Sequence, residues 1–167
     1  HRTYIETIER AREPQRADRL ASALAACRKS AQKGELLTFE RLAVWQAIVL
    51  GEPTAPPWRT TDAFARHVRY AYATDLPVRF DVALAEANGS DPPHVRAARV
   101  YLDVAFFHPF GDGNARAARL ALDHVLTRAG LGLAAIEPVI LLERAGDDSS
   151  GAYWLSRMID QLAGPLA

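Results

Sequence analysis

The stretch His108-Pro109-Phe110-Gly111-Asp112-Gly113-Asn114-Ala115-Arg116-Ala117-Ala118-Arg119 constrains the rest of the chain more than any other. Pro109 disfavours smooth continuation of a helix arriving near Phe107, because the residue before a proline is pushed out of the α region. Gly111 and Gly113 admit backbone angles that a Cβ makes costly. Beyond them, residues 115–127 combine good helix formers with Leu120, Leu122, Val125 and Leu126 at mostly helical spacing. These features predict a tight loop seated on a helix N-terminus, with His108 delivered to it by the preceding helix.

A helix N-terminus presents unpaired backbone N–H groups and the positive end of the helix dipole, so an anion can bind there. Arg116 and Arg119 are three residues apart and share a face, from which both guanidinium forks can reach phosphate oxygens. Asp112, the only carboxylate of the loop, suits Mg²⁺, which takes one or two carboxylates together with phosphates and waters. His108 is left to handle a proton, its ordinary pKa lying close enough to neutrality for a general base. A helix–loop–helix turn with idle surface arginines has no need of His, Asp, Asn and two Arg at these spacings.

The string resembles the signature of the Fic (Fido) family, His-x-Phe-x-Asp/Glu-Gly-Asn-Gly-Arg-x-x-Arg, and matches every fixed position but one. The departure is Ala115, where the family usually has glycine. The resemblance implies an all-α, Fic-like helical bundle spanning residues 1–167 as a single domain. It also implies a protein adenylyltransferase activity, moving AMP from MgATP to a Ser, Thr or Tyr hydroxyl of a target with release of pyrophosphate. On that resemblance His108 deprotonates the target hydroxyl, Asp112 holds Mg²⁺, and Gly113 with Asn114 forms part of the anion hole. Phe110, Gly111, Ala115, Arg116 and Arg119 complete the nucleotide-binding set, with Asn114 and Arg116 joining His108 in catalysis. A methyl at Ala115 narrows the approach to the α-phosphate and disfavours a left-handed backbone there. Related Doc-type proteins carry a bulkier residue at this position and transfer the terminal phosphoryl group instead. The alternatives are therefore transfer of another phosphate-containing group (phosphoryl, phosphocholine, UMP or GMP) to a protein or small molecule, or a non-catalytic domain that binds a nucleotide or partner. Intact His108 and Asp112 speak against a pure binder.

Length and composition are compatible with this reading. A chain of 167 residues can bury a real core. Lys plus Arg equals Asp plus Glu, at 20 each, so no net field draws it to nucleic acid or an anionic membrane. The single Cys27 has no internal disulfide partner, and its expected place is an apolar helix face; no CxxC or His/Cys cluster suggests zinc. With neither a membrane-length apolar run nor a signal-peptide pattern, a cytoplasmic location is expected.

In chain order, a short helix is expected over 3–11, broken at Pro14, then a longer one over 15–33 ended by Gly34. Leu20, Leu24, Cys27 and Ala31 form its core stripe, with Arg16, Arg19 and Lys29 toward water. Thr38 caps a third helix reaching Leu50 and closed by Gly51, with Leu42, Trp45, Ile48 and Val49 inward. Residues 58–72 admit a β-hairpin flap of the kind the family uses to bind a target by strand addition, with Val68, Tyr70 and Tyr72 alternating; an irregular loop or further helix fits as well. Asp75 and Pro77 open a helix to Ala87, stopped by Asn88-Gly89. The long helix 94–107 is expected to be central and buried on most sides. Shorter helices over 137–144 and 152–163, separated by a polar loop at 146–151, finish the chain.

Other residues invite functional readings of less weight. His67, His94 and His124 are expected to be surface or hydrogen-bonded histidines. Tyr153 and Trp154 could border a purine, but their spacing with Leu155, Met158 and Ile159 fits plain core better. Asp147 and Asp148 fit a helix cap better than a second metal site. Family members are often inhibited by a helix bearing Ser/Thr-x-x-x-Glu-Gly/Asn, whose glutamate pairs with the second signature arginine. No segment fits that pattern; the nearest is Ser156-Arg157-Met158-Ile159-Asp160-Gln161. Any regulation is then expected from another, antitoxin-like chain or from a segment outside this sequence.

Overall fold

The computed structural model describes residues 1–65, 67–142 and 148–166 and is mostly helical. A first helical stretch runs through α1 (Arg2–Tyr4), a π-helical segment (Ile5–Glu9) and α2 (Arg10–Arg12). It stops at Glu13, whose extended backbone precedes Pro14, the first residue of α3 (Pro14–Gln32). Gly34, at φ 74°, turns the chain away. Thr38 accepts a hydrogen bond from the Arg41 N–H to start α4 (Phe39–Leu50), and left-handed Gly51 ends it.

The segment whose reading was open forms a hairpin: β1 (Ala63–Ala65) pairs antiparallel with β2 (Val68–Tyr70). Next come α5 (Leu76–Ala87), α6 (Pro93–Phe107) and α7 (Asn114–Arg128). A second antiparallel pair, β3 (Leu131–Leu133) with β4 (Ala163–Pro165), was not expected and brackets α8 (Glu137–Leu141) and α9 (Ser149–Leu162). Residues 143 and 144 of the expected 137–144 helix, and residues 146 and 147 of the expected polar loop, lie outside the described residues. Asp148 does cap α9, accepting from the Gly151 N–H at 2.8 Å, so that helix begins earlier than its apolar pattern suggests.

One correction concerns which helix is central. α6 is largely covered, but every residue of α7 from Arg116 to Thr127 is buried. It packs against α6, α3 and α4. Its charges are met inside: Asp123 receives both Arg28 Nε at 2.8 Å and Nη2 at 3.0 Å. Cys27 sits on the expected core face of α3, its thiol donating to the Leu120 carbonyl. Tyr153 and Trp154 reverse the expectation: Leu155 and Ile159 fill the core stripe of α9, and the two aromatics stand out at 58% and 65% exposure. Among the described residues no helix is long and apolar enough to cross a membrane.

His124 is neither a surface nor a hydrogen-bonded histidine. It is fully buried against Trp45, ring centroids 5.2 Å apart, and neither ring nitrogen has a partner. Burial, then the nearby Arg128 and Arg41, push its pKa down to about 4. Between that value and the ordinary ~6.5 the unfolded chain takes up a proton that the folded chain refuses. Stability is therefore highest above pH ~6.5 and declines toward pH 4, by on the order of 3 kcal/mol from this one group. Urea midpoints measured across that window should fall in the wild type, and fall distinctly less in His124→Leu.

Candidate active site

The site is built where α6 ends and α7 begins. His108 terminates α6 in a left-handed conformation, φ 52° and ψ 57°, the only non-glycine positive φ among the described residues. For an L-residue this costs about 1–2 kcal/mol. Its N–H is held by the Val104 carbonyl at 3.2 Å. The ring Nδ1 lies 2.9 Å from the Ala105 carbonyl, and since a carbonyl only accepts, Nδ1 carries the proton and Nε2 holds the free lone pair. Partial burial lowers the imidazole pKa below its ordinary value, and Arg59 works in the same direction. The Ala105 bond and Asp112 act the other way. Tyr70 of the hairpin stacks on the ring at 3.8 Å between centroids, with 15° between planes.

The loop is anchored from below. Phe110 is fully buried and stacks on Phe39 at 5.5 Å, within an aromatic group that includes Trp58 and Phe80. Its side chain thus belongs to the core, and only its backbone faces the loop. Asn114 closes the turn: its amide accepts from the Phe110 N–H at 2.9 Å and donates to the Phe110 carbonyl at 2.8 Å. The Asn114 side chain is spent on that closure, leaving backbone groups to meet an anion. Gln46 of α4, which sequence reasoning missed, donates to the Asp112 carbonyl at 2.6 Å while fully buried. The signal was there: a glutamine inside an apolar helical run needs a buried partner.

Of the two glycines only one is conformationally required. Gly113 has φ 76°, and a Cβ there would run into the Gln46 amide and the Arg116 guanidinium. Gly111 has no positive φ and open space around it. Ala115 is exposed in the first turn of α7, in helical backbone, so its methyl meets no left-handed constraint.

Arg116 and Arg119 lie on one face, both 5% exposed. Arg116 Nη1 reaches the Val49 carbonyl at 3.4 Å and Nη2 stands 3.6 Å from the Asp112 carboxylate. Asp112 is otherwise exposed, its Oδ1 accepting from the Gly113 N–H. Arg16 and Arg19 of α3, expected toward water, are half-buried, and the Nε atoms of all four arginines are buried without partners. Burial lowers the Arg116 pKa, and Arg16 adds to the effect. Arg119 is occupied: both terminal nitrogens donate to Glu9 Oε1, at 3.0 and 3.1 Å, and its guanidinium lies 5.6 Å from the Tyr4 ring. Glu9 stands at the end of the π-helical segment and is 7% exposed. The segment 156–161 plays no such part: Asp160 pairs with Arg157 and His94 near the surface.

These features define a helical domain in which a histidine stands beside a glycine loop at a helix N-terminus backed by arginines. The Fic/DOC family profile matches residues 1–126, and the chain belongs to that family. Its members transfer a nucleotide or another phosphate-containing group to their targets. Among solved structures, a Fic domain containing signaling protein from Bacteroides thetaiotaomicron is similar in fold, with a TM-score of 0.59 at 22% identity. The likeness covers 91% of this chain and 59% of that one, so this chain spans well under two thirds of that protein. No curated protein matches the chain.

The loop geometry separates its two glycines experimentally. Gly113→Ala should lose about 1–3 kcal/mol of stability through left-handed strain and the clash with Gln46. Gly111→Ala should stay within about 0.5 kcal/mol of wild type. Denaturant titration of both variants checks the contrast.

Proposed function

We propose that this chain is a nucleotidyl transferase that moves AMP from MgATP to a hydroxyl group of a target protein, releasing pyrophosphate. The observation that carries this reading is the pairing of a free, neutral His108 Nε2 with the anion site at the start of α7. The target hydroxyl gives its proton to Nε2 as its oxygen attacks the α-phosphorus. The bond from that phosphorus to the bridging oxygen of the β-phosphate breaks, and pyrophosphate carries away the charge. The N-terminal amides of α7 and the Arg116 guanidinium face the negative charge that develops. General-base assistance of this kind supplies roughly 10²- to 10⁴-fold, with positioning and charge stabilisation supplying the rest.

Asp112 fits a Mg²⁺ ion that also takes phosphate oxygens: a lone, exposed carboxylate at the lip of the loop is the donor set this ion uses. When bound, the ion would neutralise phosphate charge. Arg119 would hold the outer phosphates once Glu9 releases it. Glu9 is thus a competitor for the terminal phosphate, supplied by the chain itself. The Ala115 methyl lies in helical backbone and exposed, which supports keeping AMP as the transferred group.

Incubation with Mg²⁺, a lysate and ATP labelled at the α-phosphate should label a protein band that His108→Ala abolishes. Label arriving only from the γ-phosphate would replace this reading with phosphoryl transfer. The acid limb of kcat/KM should lie below pH 6.5, since the reaction needs neutral His108 and burial lowers its pKa. Activity should be lost as pH falls through that limb. Glu9→Gln should bind MgATP roughly tenfold more tightly by calorimetric titration, about 1.4 kcal/mol, because Arg119 is no longer held by a carboxylate.

A further inference from the structure

Arg59 is a charged residue with only 8% exposure, in the segment between α4 and the hairpin. Its guanidinium spends its donors on four backbone carbonyls. Nε donates to His108 O at 2.6 Å, Nη1 to Thr61 O at 2.6 Å, and Nη2 to both Ala71 O and Phe107 O at 3.2 Å. Its own N–H donates to Pro109 O at 3.0 Å. Thr61 and Ala71 lie just outside the two ends of the hairpin, while Phe107, His108 and Pro109 are the end of α6 and the start of the loop.

We infer that Arg59 is a positioning residue for His108, tying both feet of the hairpin to the end of α6 and so holding Tyr70 face-on against the imidazole. The inference rests on the reading of His108 as the base. The hydrogen-bond geometry carries it in three steps. First, the two carbonyls at the end of α6 have no helical donors ahead of them, and the left-handed turn at His108 aims its carbonyl away from the helix ladder. A single planar fork satisfies both and fixes the turn. Second, the same fork holds the hairpin at both ends, where Asp62 already closes it by accepting from the Tyr72 N–H at 2.7 Å and from Arg69. Third, Tyr70 ends β2 and lies on the imidazole, so hairpin and base move as one body. A segment docked on the hairpin is then held in register with Nε2. Lysine cannot replace this arrangement, because an ammonium has three donors and no planar fork. The charged and titratable groups facing His108 are Arg59, Asp112 and Tyr70, and Arg59 is the cation among them that favours the neutral ring.

The test compares wild type, Arg59→Lys and Tyr70→Leu by NMR of the His108 ring and by amide hydrogen exchange. The face of Tyr70 shields the His108 Hε1 proton, and Tyr70→Leu gives its unshielded position. In Arg59→Lys the proton should move at least halfway to that position, and the amides of residues 63–65 and 68–70 should exchange at least tenfold faster. In the transfer assay kcat should fall at least tenfold with KM for MgATP unchanged, since the α7 anion site is untouched. A folded Arg59→Lys with wild-type Hε1 position and exchange would overturn the inference. If that variant does not fold, exchange in the wild type decides. A common opening rate for the hairpin amides, the His108 amide and the Arg59 Nε–H supports the link, and separate rates refute it. Should wild type show no His108-dependent transfer, the function reading fails while the NMR and exchange results still settle the positioning role.

Discussion

A helix buried on every side cannot carry charge unless each charge is met inside, and α7 carries several. Much of the tertiary arrangement follows from meeting them. Asp123 draws Arg28 from α3, Arg119 draws Glu9 from the N-terminal stretch, and Arg116 leans on the Val49 carbonyl at the end of α4. Leaving one such partner unmet costs several kcal/mol, about 3–5 for a buried pair broken on one side. The N-terminal residues are therefore held to the core by a charge as much as by Tyr4 and Ile5. The π-helical segment fits this account, because Glu9 lies at its end, and an extra residue per turn changes where a side chain is aimed.

The same constraint explains what sequence could and could not show. The loop was legible because proline, glycine and helix-start residues act through local backbone sterics, and Asp112 and Arg116 fall together as local spacing requires. Helix limits were legible where caps set them, as at Thr38, Gly51 and Asn88. What failed was non-local. Burial of α7 on all sides depends on partners 95 and 110 residues away in the chain. The role of Gln46 depends on a loop 66 residues on, and that of Arg59 on carbonyls of a turn it approaches only in the folded state. The β3–β4 pair joins short segments with Gly132 and Gly164 facing each other, and no alternating apolar pattern announces it. Glu9 escaped because the expected inhibitory pattern looks for Ser or Thr four residues before a glutamate, and here that position is Ile5.

Around the site the burial of the charged groups is uneven. The arginines are desolvated and their Nε atoms lack partners, whereas the carboxylates that touch them differ in exposure: Glu9 is enclosed and Asp112 stands in water. An enclosed pair is strong and slow to part; an exposed one contributes little and parts readily. The Asp112–Arg116 contact is thus the easy one to open, and the Glu9–Arg119 contact the hard one.

On the reading proposed above, both protein carboxylates occupy guanidinium groups that phosphate oxygens would take. Donor binding is then a pair of exchanges, carboxylate for phosphate, that differ in how charge is compensated. A phosphate would replace Asp112 at Arg116, leaving Asp112 to the divalent cation it would hold, and a terminal phosphate would replace Glu9 at Arg119. The first exchange leaves no charge uncompensated. The second frees a buried glutamate with no cation waiting for it, so it proceeds only if the N-terminal segment shifts. A nucleotide lacking the terminal phosphate avoids that step altogether. The asymmetry places control of the site at its phosphate tail rather than at His108, whose geometry is set by α6, the hairpin and Arg59.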